Sequence, residues 1–447
     1  MRTDFDAIVV GAGPAGSAAA ILLAGAGWSV ALVEKQRFPR RKVCGECLAA
    51  TNLPLLAALG VGPAFAASAG PELRRVALMS GERTVVADLP ATRHPEYPWG
   101  RALGRETLDA LLLARARAAG AHVLQPWSAL AIEGAAGDWH CAVEALDRRG
   151  AASLRAPVAI AAHGSWEALP RDRPRRRQAR RASDLFAFKA NFRDASLDEG
   201  LLPVLSFAGG YGGMVVADGG LTTIACCIRR DRLAACRQAL PALGAGDAVE
   251  ALLRRDCRGV RLALQAASRE GPWLAAGPLD PGIRLRADDQ LFRVGNAAGE
   301  AHPIIGEGMS MALQSASLLC AQLLADKRCD QLSDKAWQGG VARRYAAAWR
   351  SQFERRLRLA AVFAHLAMRP ASTALLMQLA RNWPGLLTLG ACWADKTRCA
   401  VNAVTLAALA PIGVTVAASS ADSRFALTAL RGRSGSDEMT TTTKEDR

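Results

Sequence analysis

The stretch DAIVVGAGPAGSAAAILLAGAGWSVALVEK, residues 6–35, decides the fold. It opens with the apolar run AIVV (7–10), which is typical of a buried parallel strand. That run passes directly into GAGPAG (11–16), a G-x-G-x-x-G that starts an alanine-rich helix, and a second apolar run, VALV (30–33), ends at Glu34. This order of strand, turn, helix and strand predicts a Rossmann-like α/β domain.

The three glycines of the turn have separate physical tasks. Gly11 makes the tight turn, Gly13 lets the backbone approach a pyrophosphate, and Gly16 lets the helix pack close to the sheet. Glu34 follows Gly16 by 18 residues (34 − 16), close to the spacing of about 20 expected for a carboxylate that bonds a ribose hydroxyl. The pattern therefore predicts a dinucleotide site rather than an ordinary turn, and an acid at position 34 disfavours a 2′-phosphate. The predicted nucleotide-binding residues here are Gly11, Gly13, Pro14, Ala15, Gly16, Glu34 and Lys35.

Composition sets broad limits on the class of protein. A chain of 447 residues is long enough for two or three domains. The net charge of +15 could suggest nucleic acid or an anionic membrane surface, but it is interpreted as arginine used as the default surface cation. The run of seven arginines at 171–181 is interpreted as a solvated linker and not as a specific anion site, because nearby aromatic residues for base stacking are lacking. Eleven scattered cysteines fit a reducing cytoplasm. We expect no signal peptide, because residues 1–4 lead straight into the first strand.

The chain is predicted to divide into an interrupted nucleotide domain and two further parts. Residues 184–230 contain apolar runs joined by glycine-rich turns, which indicate antiparallel strands. The aromatic residues Tyr345, Trp349 and Phe353 recur every fourth position, which indicates a helix with one buried face. The predicted parts are a nucleotide-binding domain at 1–183 and 281–333, an inserted substrate domain at 184–280, a C-terminal helical region at 334–430 and a polar, disordered tail at 431–447.

Three separated motifs carry a resemblance to a known superfamily. They are residues 6–35 with Glu34, FPRRKVCGECL (38–48) and GNAAGEAHPIIGEGM (295–309), supported by RETLD (105–109) and GGYGGMV (209–215). Together they resemble the flavoproteins that include para-hydroxybenzoate hydroxylase, the geranylgeranyl reductases and the flavin-dependent halogenases. The resemblance implies an FAD-dependent oxidoreductase of α/β class, with a Rossmann-like FAD-binding domain, an inserted antiparallel-sheet substrate domain and a C-terminal helical region.

The resemblance also implies roles for single residues. Arg105 would contact FAD, and Gly295 with Asn296 would meet its ribityl and pyrophosphate groups. Gly306, Gly308 and Met309 would bring the start of a helix towards the pyrimidine edge of the flavin. A positive helix terminus there would stabilise an anionic reduced flavin.

Two positions depart from the superfamily pattern. Family members usually have aspartate where Asn296 stands, and asparagine keeps an acceptor but loses the charge, which weakens FAD binding without excluding it. The Asp-Gly motif tied to FAD and NAD(P)H in the hydroxylases is His163-Gly164 here. NAD(P)H is therefore kept only as a candidate transient electron donor.

The candidate catalytic residues are His302 and Glu46. His302 precedes Pro303 in the turn expected to face the flavin, where an imidazole could move protons, and the alternative is a purely structural histidine. Cys44 and Cys47 have the spacing of a redox dithiol, but packing against the flavin is the preferred interpretation. No metal site is predicted. Lys189 lies in the middle of a strand, and we expect it to be exposed rather than to contact substrate.

These features leave three function classes open. The first is a monooxygenase that hydroxylates a small, apolar aromatic or polyketide-like substrate. The second is a geranylgeranyl-reductase-like ene reductase that acts on a prenyl or lipid-like alkene, and the third is a noncatalytic flavin-binding protein. Residues 401–420 are only mildly apolar, so we expect a cytoplasmic protein, with peripheral membrane contact through the C-terminal region as the alternative.

Overall fold

The computed structural model describes residues 2–147, 150–165, 180–287, 290–325 and 331–393. The strands in chain order are β1 (Ala7–Val10), β2 (Val30–Val33), β3 (Cys47–Leu48), β4 (Arg75–Ser80), β5 (Arg83–Asp88), β6 (Arg101–Ala102), β7 (His122–Leu124), β8 (Trp127–Ala135), β9 (Asp138–Ala145), β10 (Ala151–Ala156), β11 (Val158–Ala161), β12 (Leu185–Arg193), β13 (Leu201–Phe207), β14 (Gly210–Val216), β15 (Thr222–Arg229), β16 (Ser268–Ala276), β17 (Gly282–Ile283), β18 (Phe292–Arg293) and β19 (Gly299–Glu300). The helices are α1 (Pro14–Gly25), α2 (Leu53–Ala58), α3 (Gly62–Ser68), α4 (Arg105–Ala118), α5 (Arg230–Ala239), α6 (Ala245–Asp256), α7 (Arg258–Ala263), α8 (Gly308–Leu324), α9 (Lys335–Ala367), α10 (Pro370–Asn382) and α11 (Gly385–Trp393).

A parallel sheet in the order β18-β11-β1-β2-β7 forms the nucleotide domain. Its central strands are apolar at every position because both faces are covered. Helices α1, α4 and α8 pack on one face, and the three-stranded sheet β8–β10 packs on the other. The small side chains of Ala18, Ala19 and Ala20 in α1 are fully buried, so α1 can lie close to its neighbours. The predicted Rossmann-like arrangement is confirmed.

A seven-stranded sheet in the order β16-β12-β15-β14-β13-β4-β5 forms the second layer. The strands predicted within 184–230 are confirmed as β12 to β15. The sheet also includes β4 and β5, which end 104 (184 − 80) and 96 (184 − 88) residues before that region, and β4 pairs with β13 in parallel. Helices α6 and α7 cover one face of this sheet, and its other face turns towards the nucleotide domain.

The C-terminal helical region begins with α9. Tyr345, Trp349, Phe353 and Leu357 are all buried, and the Tyr345 hydroxyl donates to the Arg293 carbonyl at 2.8 Å. This bond ties α9 to the end of β18. Most of the arginine run (171–179), the candidate apolar segment (401–420), the rest of the predicted helical region (394–430) and the predicted tail (431–447) lie outside the described residues.

Across the described ranges, no single helix is both long and apolar enough to cross a membrane. The pair α9 and α10, bent by 102° at the break between them, passes the same test by length and composition together.

Candidate active site

A cleft of about 550 Å³ opens between the parallel sheet and the seven-stranded sheet. Its lining includes Val10 and Val33, the last residues of β1 and β2, and open α/β sheets bind ligands at this carboxyl edge. Gly16 lies behind the turn, and His302 stands between Ala301 and Pro303, which both line the cleft. The predicted cofactor residues that line the cleft are Gly11, Gly13, Pro14, Ala15, Glu34, Lys35, Arg105, Gly295, Asn296, Gly306, Gly308 and Met309.

The nucleotide turn has room only for glycine at two positions. Gly11 has a φ of +101°, and a Cβ there would lie 2.6 Å from the Ala162 carbonyl oxygen. A Cβ on Gly16 would lie 1.8 Å from the Gly11 carbonyl oxygen. Because glycine at both positions allows these close approaches, the first turn of α1 packs against the ends of β1 and β11. The N-terminus of α1 therefore faces the cleft.

Glu34 fixes the far side of the turn. Its carboxylate accepts from the backbone N–H groups of Ala12 and Gln36, each at 2.8 Å. A carboxylate has about four acceptor positions, so these two bonds orient the group and leave capacity for the hydroxyls of a ribose. The position and chemistry of Glu34 fit an adenosine nucleotide.

Arg105 supplies a buried cation next to the turn. Its guanidinium donates to both oxygens of Asp109 at 2.7 Å, and a Cβ on Gly13 would lie 3.7 Å from its Nη2. Burial lowers the pKa of Arg105, but the charge and hydrogen bonds of Asp109 outweigh this effect and raise the pKa above its ordinary value. Arg40 also approaches Asp109, at 3.5 Å. This cationic wall fits a pyrophosphate.

The loop after β18 contacts the nucleotide turn. Asn296 Nδ2 donates to Ser165 Oγ at 2.7 Å, and the Gly295 N–H donates to Ser315 Oγ at 2.7 Å. A Cβ on Gly295 would lie only 2.9 Å from the Cβ of Ala15. The loop after β18 therefore meets the helix of the nucleotide turn, as expected for two loops around one cofactor.

The start of α8 offers open space to a ligand. Gly308 is the first residue of α8 and lines the cleft, and no protein atom lies within 4 Å of a Cβ built on it. Gly306 adopts a φ of +66° just before the helix. A planar ring system can thus approach the N–H groups of this terminus, which carry positive partial charge.

A buried ion pair beside the cleft joins the seven-stranded sheet to the residue just before β3, a strand of the two-stranded sheet β3-β6. Lys189 of β12 contacts the Glu46 carboxylate, which also accepts from Thr223 Oγ1 of β15 at 2.5 Å and from the backbone N–H of Arg105 at 3.1 Å. Glu46 has a positive φ of 58°. We call Glu46, Lys189 and Thr223 the inter-sheet junction. A role for Glu46 as a catalytic acid or base stays a prediction. The contacts of its carboxylate with Lys189, Thr223 and Arg105 are structural.

The expectation that Lys189 is exposed is wrong, because its exposed fraction is 3 %. The alternation of β12 does place Lys189 opposite Phe188 and Ala190. Those two residues pack against α6 and α7, while the face that carries Lys189 lies against the nucleotide domain. A lysine inside an apolar strand was the available signal, but its partner Glu46 is 143 residues away in sequence.

His302 contacts a tyrosine that the sequence analysis quoted but did not assign. Tyr211 Oη lies 3.4 Å from His302 Nδ1, and Tyr211 is buried and lines the cleft. The ring of exposed His365 in α9 meets the ring of His302 edge to face at 5.8 Å. Burial lowers the pKa of His302 to about 4, with a further contribution from the charge of His365. Burial raises the pKa of Tyr211 well above its ordinary value, so both side chains are neutral near pH 7.

Cys44 and Cys47 both line the cleft as reduced thiols of intermediate exposure. The side chain of Cys44 lies within hydrogen-bonding reach of the Arg105 guanidinium. Active dithiol chemistry stays a less favoured prediction.

The Rossmann turn bonded to Glu34, the cationic wall and the second glycine loop are the features of an FAD-dependent oxidoreductase. The chain belongs to the family described as "FAD binding domain", whose model matches residues 4–232, just over half of the chain. The superfamily and the cofactor predicted from the sequence are therefore confirmed.

Individual relatives agree with this family. A menaquinone reductase of Mycobacterium tuberculosis is 38% identical over 127 residues, which are 28% of this chain and 30% of that protein. The chain thus matches less than a third of that curated relative. Among solved structures, the myxobacterial chondrochloren halogenase has a TM-score of 0.66 at 18% identity, covering 92% of this chain and 98% of the halogenase. A geranylgeranyl bacteriochlorophyll reductase-like protein of Thermoplasma acidophilum has a TM-score of 0.65 at 17% identity, covering 93% and 98%. The structural likenesses show the fold alone.

Proposed function

We propose that the protein is an FAD-dependent reductase that saturates a carbon–carbon double bond of a prenyl or other lipid-like substrate. The observation that carries this proposal is the hydroxyl of Tyr211 in an apolar cleft, in contact with His302. Saturation of an alkene requires a proton at one carbon in addition to a hydride at the other, and the pair Tyr211 and His302 can supply the proton.

The substrate side of the cleft suits an apolar chain. Leu202 and Val204 of β13, Met214 of β14 and Ile304 all contribute to its lining. Burial of such a chain is favourable by about 25 cal/mol per Å² of apolar surface removed from water. Hydrophobic walls would also exclude water from the reacting carbons.

Reduced FAD, when bound, supplies the hydride. Tyr211, held protonated by burial, donates its hydroxyl proton to the substrate carbon. With its proton on Nδ1, His302 donates that proton to restore the Tyr211 hydroxyl while Nε2 takes a proton from solvent near His365, so the ring stays neutral throughout. The low pKa of His302 keeps the ring neutral, and a neutral ring can pass a proton from one nitrogen to the other.

The comparisons support this reaction class without establishing it. Two of the proteins described above are named for menaquinone and for geranylgeranyl bacteriochlorophyll, and both molecules carry prenyl chains. His163 in place of the family's aspartate favours an electron donor other than a tightly bound NAD(P)H, so NAD(P)H remains a candidate transient donor.

The test is anaerobic turnover of the holoprotein with geranylgeraniol and dithionite. We expect reoxidation of the flavin and a product that has gained two hydrogens per saturated bond. Tyr211→Phe should slow this step by about a hundredfold or more, the scale of lost general acid catalysis, while FAD remains bound. Phe186 lies on β12 of the same sheet but does not line the cleft. Phe186→Leu therefore serves as the control and should react as the wild type.

Hydroxylation of an apolar aromatic substrate, the reaction predicted first from the sequence, is the competing outcome. It requires that oxygen consumption be matched by a hydroxylated product when the reduced protein meets air. Oxygen-dependent product without anaerobic alkene saturation would overturn the reductase proposal. A protein that reduces neither alkene nor oxygen would favour the noncatalytic alternative.

A further inference from the structure

The last two described helices expose an unusual amount of apolar surface. Trp383 is 62 % exposed and Trp393 is 51 % exposed, although tryptophan is highly buried on average. We call this surface the C-terminal apolar face; its members are Leu375, Leu376, Trp383, Leu386, Leu389 and Trp393. On α11, the spacing of Leu386, Leu389 and Trp393 places all three on one side of the helix.

The opposite sides of these helices are anchored to the protein. Thr373, Met377 and Ala380 of α10 are buried, and Thr388 Oγ1 of α11 donates to the carbonyl of Asp88 at 2.7 Å. The exposed face is therefore the outer side of a fixed pair of helices.

Helices α10 and α11 contain no aspartate or glutamate. Arg369 and Arg381 are exposed at the two ends of α10. A surface that combines tryptophan and leucine with arginine suits the interface of an anionic bilayer, where each arginine contributes about 1 kcal/mol.

The face also lies near a small cavity that adjoins the cleft. A small cavity of about 30 Å³ shares Cys47, Leu202 and Gly306 with the cleft lining. Its wall includes Leu89 and Pro90, the residues directly after the Asp88 that holds α11.

We propose that the C-terminal apolar face docks on the surface of an anionic lipid bilayer, with Trp383, Leu386 and Leu389 in the interface and Arg369 and Arg381 against the lipid headgroups. The helices lie on the bilayer and do not cross it. This docking does not depend on the reaction that the cleft performs.

The test is cosedimentation of the FAD-loaded protein with vesicles of phosphatidylcholine, with and without phosphatidylglycerol. We expect binding to the anionic vesicles that weakens as salt is raised. Trp383→Gln/Leu386→Gln/Leu389→Gln should reduce partitioning by about a hundredfold, and Arg369→Gln/Arg381→Gln by about tenfold. Leu130→Gln, which removes an exposed leucine from β8, is the matched control and should bind as the wild type.

Retention of FAD and an unchanged melting temperature show that each variant is folded. No binding of the wild type to anionic vesicles, or equal binding of the triple variant, would overturn the proposal. A dimer in size-exclusion chromatography that the triple variant abolishes, without vesicle binding, would assign the face to a second copy of the chain and equally overturn it.

Discussion

The nucleotide turn and the inter-sheet junction border the same cleft but are built from very different distances along the chain. The turn and its acid occupy residues 11–34, with one bond from Ala12 to Glu34. The junction connects Glu46 to Lys189 and Thr223, which are 143 and 177 residues away. A polar site whose partners are close in sequence can be found from a motif. A polar site whose partners are far apart in sequence can be found only from the folded structure.

The two features should also fail in different ways. Damage to the turn should remove FAD from a folded protein, because the turn lines the cofactor cleft. Damage to the junction should lower the stability of the fold, because it leaves a charge buried between two layers.

The largest effect is expected from Lys189→Met. This change leaves the Glu46 carboxylate buried without its cation, and the free energy of unfolding should fall by about 3–5 kcal/mol. Urea unfolding followed by tryptophan fluorescence measures this loss. The double variant Glu46→Gln/Lys189→Met should recover part of it, since neither charge remains. A single variant as stable as the wild type would show that the pair does not stabilise the fold.

Gly16→Val should remove the cofactor with a smaller loss of stability. A Cβ at this position lies 1.8 Å from the Gly11 carbonyl oxygen, so the turn must move, at a cost of about 3 kcal/mol or more in FAD binding. Flavin absorbance after incubation with FAD gives the readout. Gly339→Ala in α9, where the nearest atom to the new Cβ is 3.7 Å away, is the control and should stay yellow. Full FAD occupancy in Gly16→Val would contradict the role of the turn.

His302→Gln should change how stability depends on pH. Burial lowers the pKa of His302 from 6.5 to about 4, so the unfolded chain binds the extra proton first and stability is lost as pH falls from 6.5 towards 4. At about 1.4 kcal/mol per pKa unit, His302 accounts for at most about 3 kcal/mol of that loss. Urea midpoints measured across this range should fall less steeply in the variant. An unchanged dependence of the urea midpoint on pH would mean that His302 is not buried against Tyr211. The control His365→Gln should keep most of that dependence.

The smallest effect is expected from Glu34→Gln. Glutamine keeps one oxygen acceptor but replaces the other with an NH₂ group, which cannot accept from either Ala12 or Gln36. FAD affinity should fall about tenfold, or about 1.4 kcal/mol, as measured by fluorescence titration. A loss as large as that of Gly16→Val would show that this acid does more than orient the turn.

The sequence was sufficient for the cofactor fold and insufficient for the chemistry of the cleft. Strand, glycine turn, helix and Glu34 are contiguous, so each part could be assigned from spacing and residue type. Lys189 was assigned to the surface because a sequence shows that a strand alternates but not what covers each face. Tyr211 stood in a quoted motif, yet its contact with His302 exists only because β14 and the turn after β19 are brought together by the fold.

The parallel pairing of β4 with β13 has a consequence for synthesis on the ribosome. Residue 75 leaves the ribosome 126 residues (201 − 75) before residue 201, the start of its partner strand. At about 5–20 residues per second, the hairpin of β4 and β5 waits about 6–25 s for its neighbour. An expression fragment that stops at residue 183 would keep that hairpin and leave its inner edge without a partner, which is a recognised cause of aggregation.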